Sequence, residues 1–191
     1  MEHLPIFLAL RGKRAAVVGG GLAAARRAEL LLRAGAEVRV FAPELGPEFA
    51  PLTEKFSYER LFRWPEAADD LAGAAVCIVA TDAAAQDESA QALAREAGAL
   101  VNVANAPELC DFILPSIVDR SPVVVAISTG GASPILGRML KARLEATIPA
   151  AYGRLADFIR ASRARLNAVL PDTGARRRFW EKTLEGPIGE M

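Results

Sequence analysis

Val17-Val18-Gly19-Gly20-Gly21-Leu22-Ala23-Ala24 is the stretch that decides the fold. It follows the apolar run from Arg14, which has the character of a short buried strand. It precedes Leu22–Ala34, where Ala24, Ala28, Leu31 and Leu32 recur at helical spacing. Gly19, Gly21 and Ala24 fit the pattern G-x-G-x-x-A. The first glycine permits a tight strand-to-helix turn, and the second lets backbone N–H groups approach a pyrophosphate. The small third residue lets helix and strand pack closely. An anion at this point is favoured by the unpaired N–H groups and the dipole of the helix start. The context of strand, turn and helix is the one a dinucleotide site requires, with a purely structural tight turn as the alternative.

Outward from the turn, strands and helices alternate. Gly35 is placed to end the first helix, and Glu37–Ala42 reads as a second strand. Residues 56–62 suggest a weaker third, Ala74–Ala80 a strongly apolar fourth, and Leu100–Ala104 a fifth, with a helix predicted over Asp87–Ala97. Such alternation predicts an α/β chain with a doubly wound parallel sheet covered on both faces. The pattern changes after Ile113, and a boundary is expected near Phe112–Ser116. Val123–Ile127 is a further strand, and Ser128–Ser133 is turn-rich. Ser133 caps a helix that carries Pro134 in its first turn. Leu136, Leu140, Leu144 and Ile148 mark that helix. Tyr152, Leu155, Ile159, Ser162, Leu166 and Val169 mark a second, and Ala175–Leu184 a last one.

Composition narrows the function. The 191 residues are 52% apolar and 24% charged, an ordinary globular mixture. The formal charge is zero, which gives no global reason to expect nucleic acid or an anionic membrane as partner. From Ala151 onward eight Lys/Arg (Arg154, Arg160, Arg163, Arg165, Arg176, Arg177, Arg178, Lys182) face five acids, including Glu190. This basic tail is either a polyanion site or a solvated helix face. Cys77 and Cys110 stand far apart, and His3 is the only histidine. A tetrahedral zinc site or a Ser-His-Asp triad within the chain is thereby excluded, and no metal site is expected. The opening MEHLPIFLALRGK lacks the order of a secretory signal, and no apolar run approaches membrane-spanning length. A reducing cytoplasm is the expected location.

The ribose reader is less distinct. The second strand ends in Ala42-Pro43-Glu44, where Glu44 serves either as ribose acceptor or as a surface charge. No arginine lies between Ala42 and Leu45 to receive a 2′-phosphate, which favours NAD over NADP.

Several stretches, in order from residue 3 to about 182, resemble the precorrin-2 dehydrogenase and sirohydrochlorin ferrochelatase family, the N-terminal module of siroheme synthases. They are His3-Leu-Pro-Ile-Phe7, the Gly19–Gly21 turn, Ala80-Thr81-Asp82 and Val101-Asn102-Val103. Phe112–Pro122 (FILPSIVDRSP), Ile127–Pro134 (ISTGGASP) and Arg176–Trp180 follow. The resemblance implies a Rossmann-like domain over 1–113, a dimerisation segment over 114–149 and a helical tetrapyrrole-binding region over 150–191. It further implies NAD-dependent oxidation of precorrin-2 to sirohydrochlorin by a homodimer, and in some members insertion of ferrous iron as a substrate. It places Gly19, Gly21, Leu22, Ala23, Ala24, Pro43, Glu44, Thr81 and Asp82 at the cofactor. Asn102, Arg120, Ser128, Thr129, Gly130 and Gly131 are placed at the substrate. Larger members carry a methyltransferase domain beyond this point, so the chain is expected to be a stand-alone form or a fragment.

Direct reading of these residues leaves alternatives. Arg120 is a clamp for a substrate carboxylate or part of an internal ion pair. Ser128–Ser133 is an N–H-rich anion turn or a plain one. The chain also departs from the family at the position of its acid/base aspartate in N-V-x-D-A-P, which here reads Asn102-Val-Ala-Asn105-Ala-Pro107. An amide cannot act as a general base near neutral pH. Either another carboxylate takes the proton, with Asp82 and Asp111 as candidates, or the chain binds cofactor and tetrapyrrole with little turnover, or Asn105 is an engineered change that traps a ligand. An unrelated NAD-sensing regulatory domain is the remaining alternative.

Overall fold

A computed structural model describes residues 2–185. The chain forms two compact units, one ending at Leu114 and the other beginning at Pro115. The last six residues of the expected 150–191 region, Glu190 among them, lie outside the described residues.

In the first unit five strands run parallel: β1 (Arg14–Val18), β2 (Glu37–Phe41), β3 (Glu59–Leu61), β4 (Ala74–Val79) and β5 (Leu100–Val103). Their order is β3-β2-β1-β4-β5. The chain winds outward from β1 through β2 to β3, then returns to the other side of β1 as β4. The switch point lies between β1 and β4, and a crevice opens beyond their carboxyl ends.

Period-two alternation sorts the strand residues into two layers. Ala15, Val17, Val38, Val40, Val76 and Ile78 pack with Ala24, Ala28, Leu31 and Leu32 of helix α1 (Leu22–Arg33), together with Phe49 and Leu52. Ala16, Val18, Phe41, Cys77, Val79, Val101 and Val103 pack with Ala90 and Ala94 of α3 (Ala84–Glu96) and with Leu71. Alanines on the helix faces let both helices approach the sheet closely. Burial pushes the Cys77 thiol up to about 12.

Some boundaries differ from the sequence expectation. α3 begins at Ala84, not Asp87, because Ala83 supplies no side-chain cap and leaves no signal. The short helix α2 (Ala50–Lys55) was not expected, and β3 is only three residues long. The Phe56 N–H is spent on the Leu52 carbonyl at the end of α2, which shortens the strand from its start.

The connection from β3 to β4 is held by charge. Asp70 accepts from Arg63 at 2.5 and 2.8 Å and from the Glu66 N–H at 2.8 Å. Arg39 of β2 donates to the Asp70 carbonyl at 2.7 Å. The Arg63 hydrogen bond, followed by the backbone N–H of Glu66, holds the Asp70 carboxyl well below the usual carboxylate range.

The second unit contains an antiparallel ribbon of β6 (Ser116–Arg120) and β7 (Val123–Ile127), with helices α4 (Pro134–Thr147), α5 (Ala151–Val169) and α6 (Thr173–Leu184). β6 was missed in the sequence, because Ser116 before it and Asp119-Arg120 after it leave an apolar run of only two residues, Ile117-Val118. Ser133 caps α4 as expected, its hydroxyl accepting from the Leu136 N–H at 3.2 Å. Asp172 caps α6, two residues earlier than expected. Gly153 of α5 lies against the Arg120 and Ser121 carbonyls, where any Cβ would collide with backbone. The expected stripes on α4 and α5 are covered only in part. Leu136, Tyr152 and Val169 at their ends are exposed.

Two outcomes follow from these features. Asp70→Asn lowers the urea midpoint at pH 7. The depressed native pKa contributes stability above the ordinary carboxylate range and loses it as pH falls, so variant and parent converge toward pH 2. In the native protein at pH 8, Cys77 stays unlabelled by a thiol reagent and reacts only after urea unfolding.

Candidate functional site

The site is built where β1, β2, β4 and β5 end. Gly19 has φ +138°, and its N–H donates to the Phe41 carbonyl at 2.9 Å. A Cβ on Gly19 would run into the Ala80 carbonyl, and one on Gly20 into the Glu44 carbonyl. Gly20 in turn accepts from the Gly46 N–H at 2.8 Å. The glycine turn is thus wedged between the loops after β2 and β4. Gly21 precedes α1 in extended conformation with no side-chain cap, and the first amide bonded back into the helix is that of Ala25. The N–H groups of Leu22, Ala23 and Ala24 therefore open toward the crevice, with the positive end of the helix behind them. No acidic residue lies in this first turn. A cradle that a single Cβ would fill, with open amides at the helix start, fits a dinucleotide diphosphate.

Pro43 and Glu44 are exposed after β2. The Glu44 carbonyl takes part in the wedge. Arg39, the arginine within β2, is committed to Glu59 at 2.8 Å and to the Asp70 carbonyl.

Thr81 and Asp82 follow β4. Asp82 has φ +63°, and its Oδ2 lies 3.5 Å from the point where a Gly21 Cβ would be. Its carboxylate therefore reaches over the second glycine. The turn is tied down by Asp87 of α3, a buried carboxylate that accepts from the Thr81 hydroxyl at 2.6 Å and the Thr81 N–H at 3.0 Å. Beside it Asn105 follows β5, the neighbour of β4, with φ +64°. The Cys110 sulfur closes its turn. It accepts from the Val103 N–H at 3.1 Å and sits 3.3 Å from the Val103 and Ala106 carbonyls. Asp82, Asp87, Asn105 and Glu108 line one cleft of about 380 Å³.

Other expected residues are placed differently. Asn102 is buried, and its amide donates to the Phe112 carbonyl at 2.8 Å, so that group braces the loop. Asp111 accepts from the Val101 N–H at 2.9 Å and pairs with Arg95 at 2.8 Å. It therefore sits at the start of β5, about 13 Å of strand from Asn105, and drops out as a proton acceptor there.

In the second unit Arg120 reaches the Ile148, Glu145 and Asp119 carbonyls and closes the end of α4. Within the Ser128–Ser133 turn the amides of Gly130, Ala132 and Ser133 are already bonded to Ser128 or Thr129. Gly130 and Gly131 both have positive φ, as such a turn needs. Of the basic tail, Arg160, Arg177 and Arg178 face acids and Arg176 binds carbonyls. Among the described residues no group of three or more His, Cys, Asp or Glu could hold a metal ion. Among the described residues no helix is long and apolar enough to cross a membrane.

Sequence reasoning missed Gly20, Asp87 and Cys110. The third consecutive glycine was the available signal for the first. The other two act through loop closure, which has no period.

Comparison with known proteins agrees with this geometry. A family model described as putative NAD(P)-binding matches residues 6–116. One described as sirohaem biosynthesis protein central matches 120–147, and one described as sirohaem synthase dimerisation region matches 151–191. The siroheme synthase of Nitrosomonas eutropha is 46% identical over 191 residues, and that of Nitrosococcus oceani 48% over 193, each match taking in all of this chain. The chain spans 40% of the length of each of these relatives. Among solved structures, SirC, a precorrin-2 dehydrogenase, aligns with a TM-score of 0.78 over 94% of this chain and 88% of its own. At 24% identity this is a likeness of fold. With the first model covering more than half of the residues and the two sirohaem models following it along the chain, this protein belongs to the siroheme synthase family, of which it comprises the NAD(P)-binding, central and dimerisation regions.

Proposed function

We propose that this chain oxidises precorrin-2 to sirohydrochlorin with NAD, as a homodimer in the cytoplasm. The observation that carries the reading is the glycine wedge, open at the start of α1 and flanked by the Asp82–Asn105 cleft. Gly19, Gly21, Leu22, Ala23 and Ala24 hold the diphosphate through backbone. Pro43 and Glu44 border the adenosine ribose, and Thr81 and Asp82 the cleft side. Bound there, the nicotinamide supplies the hydride acceptor. Glu44, with no arginine free at the end of β2, favours a 2′-hydroxyl over a 2′-phosphate.

Residues 1–113 form the dinucleotide part in this reading. The dimerisation role expected of 114–149 extends to 151–191, the stretch whose matching model carries that description. Arg120 and Ser128–Gly131 border the macrocycle. The arginines of α5 without a carboxylate partner among the described residues, Arg154, Arg163 and Arg165, offer its acid groups a counter-charge. Ferrous iron insertion, where it occurs, treats the metal as substrate.

A second reading rests on Asn105. Without a titratable group at that position the chain binds cofactor and tetrapyrrole but turns over slowly.

Anaerobic incubation with precorrin-2 and NAD yields NADH and sirohydrochlorin in equal amounts, and NADP supports a lower kcat/KM. Absence of both products, with NAD still bound, selects the binding module. The readings also part on one substitution. Asn105→Asp restores about 10²–10⁴-fold if the chain lacks a base, and less than about tenfold if another carboxylate already serves.

A further inference from the structure

We infer that Asp82 is the proton acceptor of this chain, an assignment that rests on the dehydrogenase reading above. Oxidation of a partly reduced macrocycle removes one hydrogen as hydride and one as proton. The C–H bond that breaks sends its electron pair to the dinucleotide with the hydrogen. The accompanying proton leaves its electrons in the new double bond and passes to an Asp82 oxygen, then to water. A base for this step has to border both the dinucleotide and the open cleft.

The cleft offers four carboxylates: Asp82, Asp87, Glu88 and Glu108. Asp87 is spent on the Thr81 hydroxyl and N–H. Glu88 on α3 and Glu108 in the turn after β5 are exposed and, among the described residues, make no bond that fixes them. Asn105 carries no titratable proton. Asp82 alone among them lies against the glycine turn, its Oδ2 beside Gly21. It makes no hydrogen bond of its own among the described residues, while the turn that carries it is held by Asp87. The groups that face it are the carboxylates of Asp87, Glu88 and Glu108 and the positive end of α1. A free carboxylate on a braced turn, at the edge of the cofactor cradle, has the placement that proton abstraction needs.

The test is Asp82→Asn, which keeps the side-chain shape and a residue type that accepts positive φ. NAD affinity is measured by calorimetry on the whole chain, and kcat and KM with precorrin-2 under anaerobic conditions. The expected result is a loss of about 10²-fold or more in kcat with NAD affinity within about threefold. The acid-side fall in kcat/KM, where the carboxylate takes up its proton, disappears in the variant. The double variant Asp82→Asn/Asn105→Asp, which moves the carboxylate across the cleft, regains at least tenfold. An Asp82→Asn enzyme with unchanged kcat and pH profile overturns the assignment. So does a loss confined to NAD affinity, which would make Asp82 a ribose ligand. If the parent chain itself binds NAD but produces no NADH, it is the dehydrogenase reading that fails.

Discussion

The carbonyl oxygens of Ala80 and Glu44 stand where side chains at positions 19 and 20 would have to be. Everything at the carboxyl edge of the sheet depends on this contact between backbone and backbone. Because β1 lies between β2 and β4, a turn without side chains at its end can be gripped by the loops on both sides. The grip sets where α1 begins, and so where its open amides point. A methyl group at either glycine would push apart the loops that carry Glu44 and Asp82, and the cradle would lose its two borders together.

Beyond the wedge, two residues with left-handed backbone, Asp82 and Asn105, end adjacent strands. Each is supported by a partner on the following element, Asp87 for the first and Cys110 for the second. Positive φ is costly for most side chains and least so for Asn and Asp. The cost is offset here by bonds made to the turn backbone, which leaves the Asp82 carboxylate unspent. Rigid turns with free functional groups are what a hydride and proton transfer requires, since proximity and orientation contribute separately from acid–base strength.

Much of this was legible in the residues. The glycine turn, the alternation of strands and helices, and the buried character of Ala74–Ala80 all rest on local periods that tertiary structure preserved. Ser133 as a cap was legible because capping is local. What the residues left open shares a cause. Asn102, Arg120 and Asp111 are polar residues near motifs, and polarity alone does not reveal whether a group is already satisfied. Asn102 is spent on Phe112, Arg120 on the end of α4, and Asp111 on the far end of β5. Those partners lie 10 residues or more away and carry no spacing rule. β6 was hidden because a two-stranded ribbon does not need the continuous apolar run of a buried parallel strand.

The two units differ greatly in buried carbon. The first has a layer of fully covered side chains on each face of its sheet, whereas among the described residues Val118 is the only apolar side chain of the second in the buried core. Ile135, Met139, Phe158 and Val169 are left facing outward. A ribbon and three helices with so little interior is marginal on its own account. Such a chain is not obliged to have one melting temperature. The upper transition belongs to the parallel sheet and is set by its own residues. The lower one follows the concentration of whatever closes the outer surface of the helices.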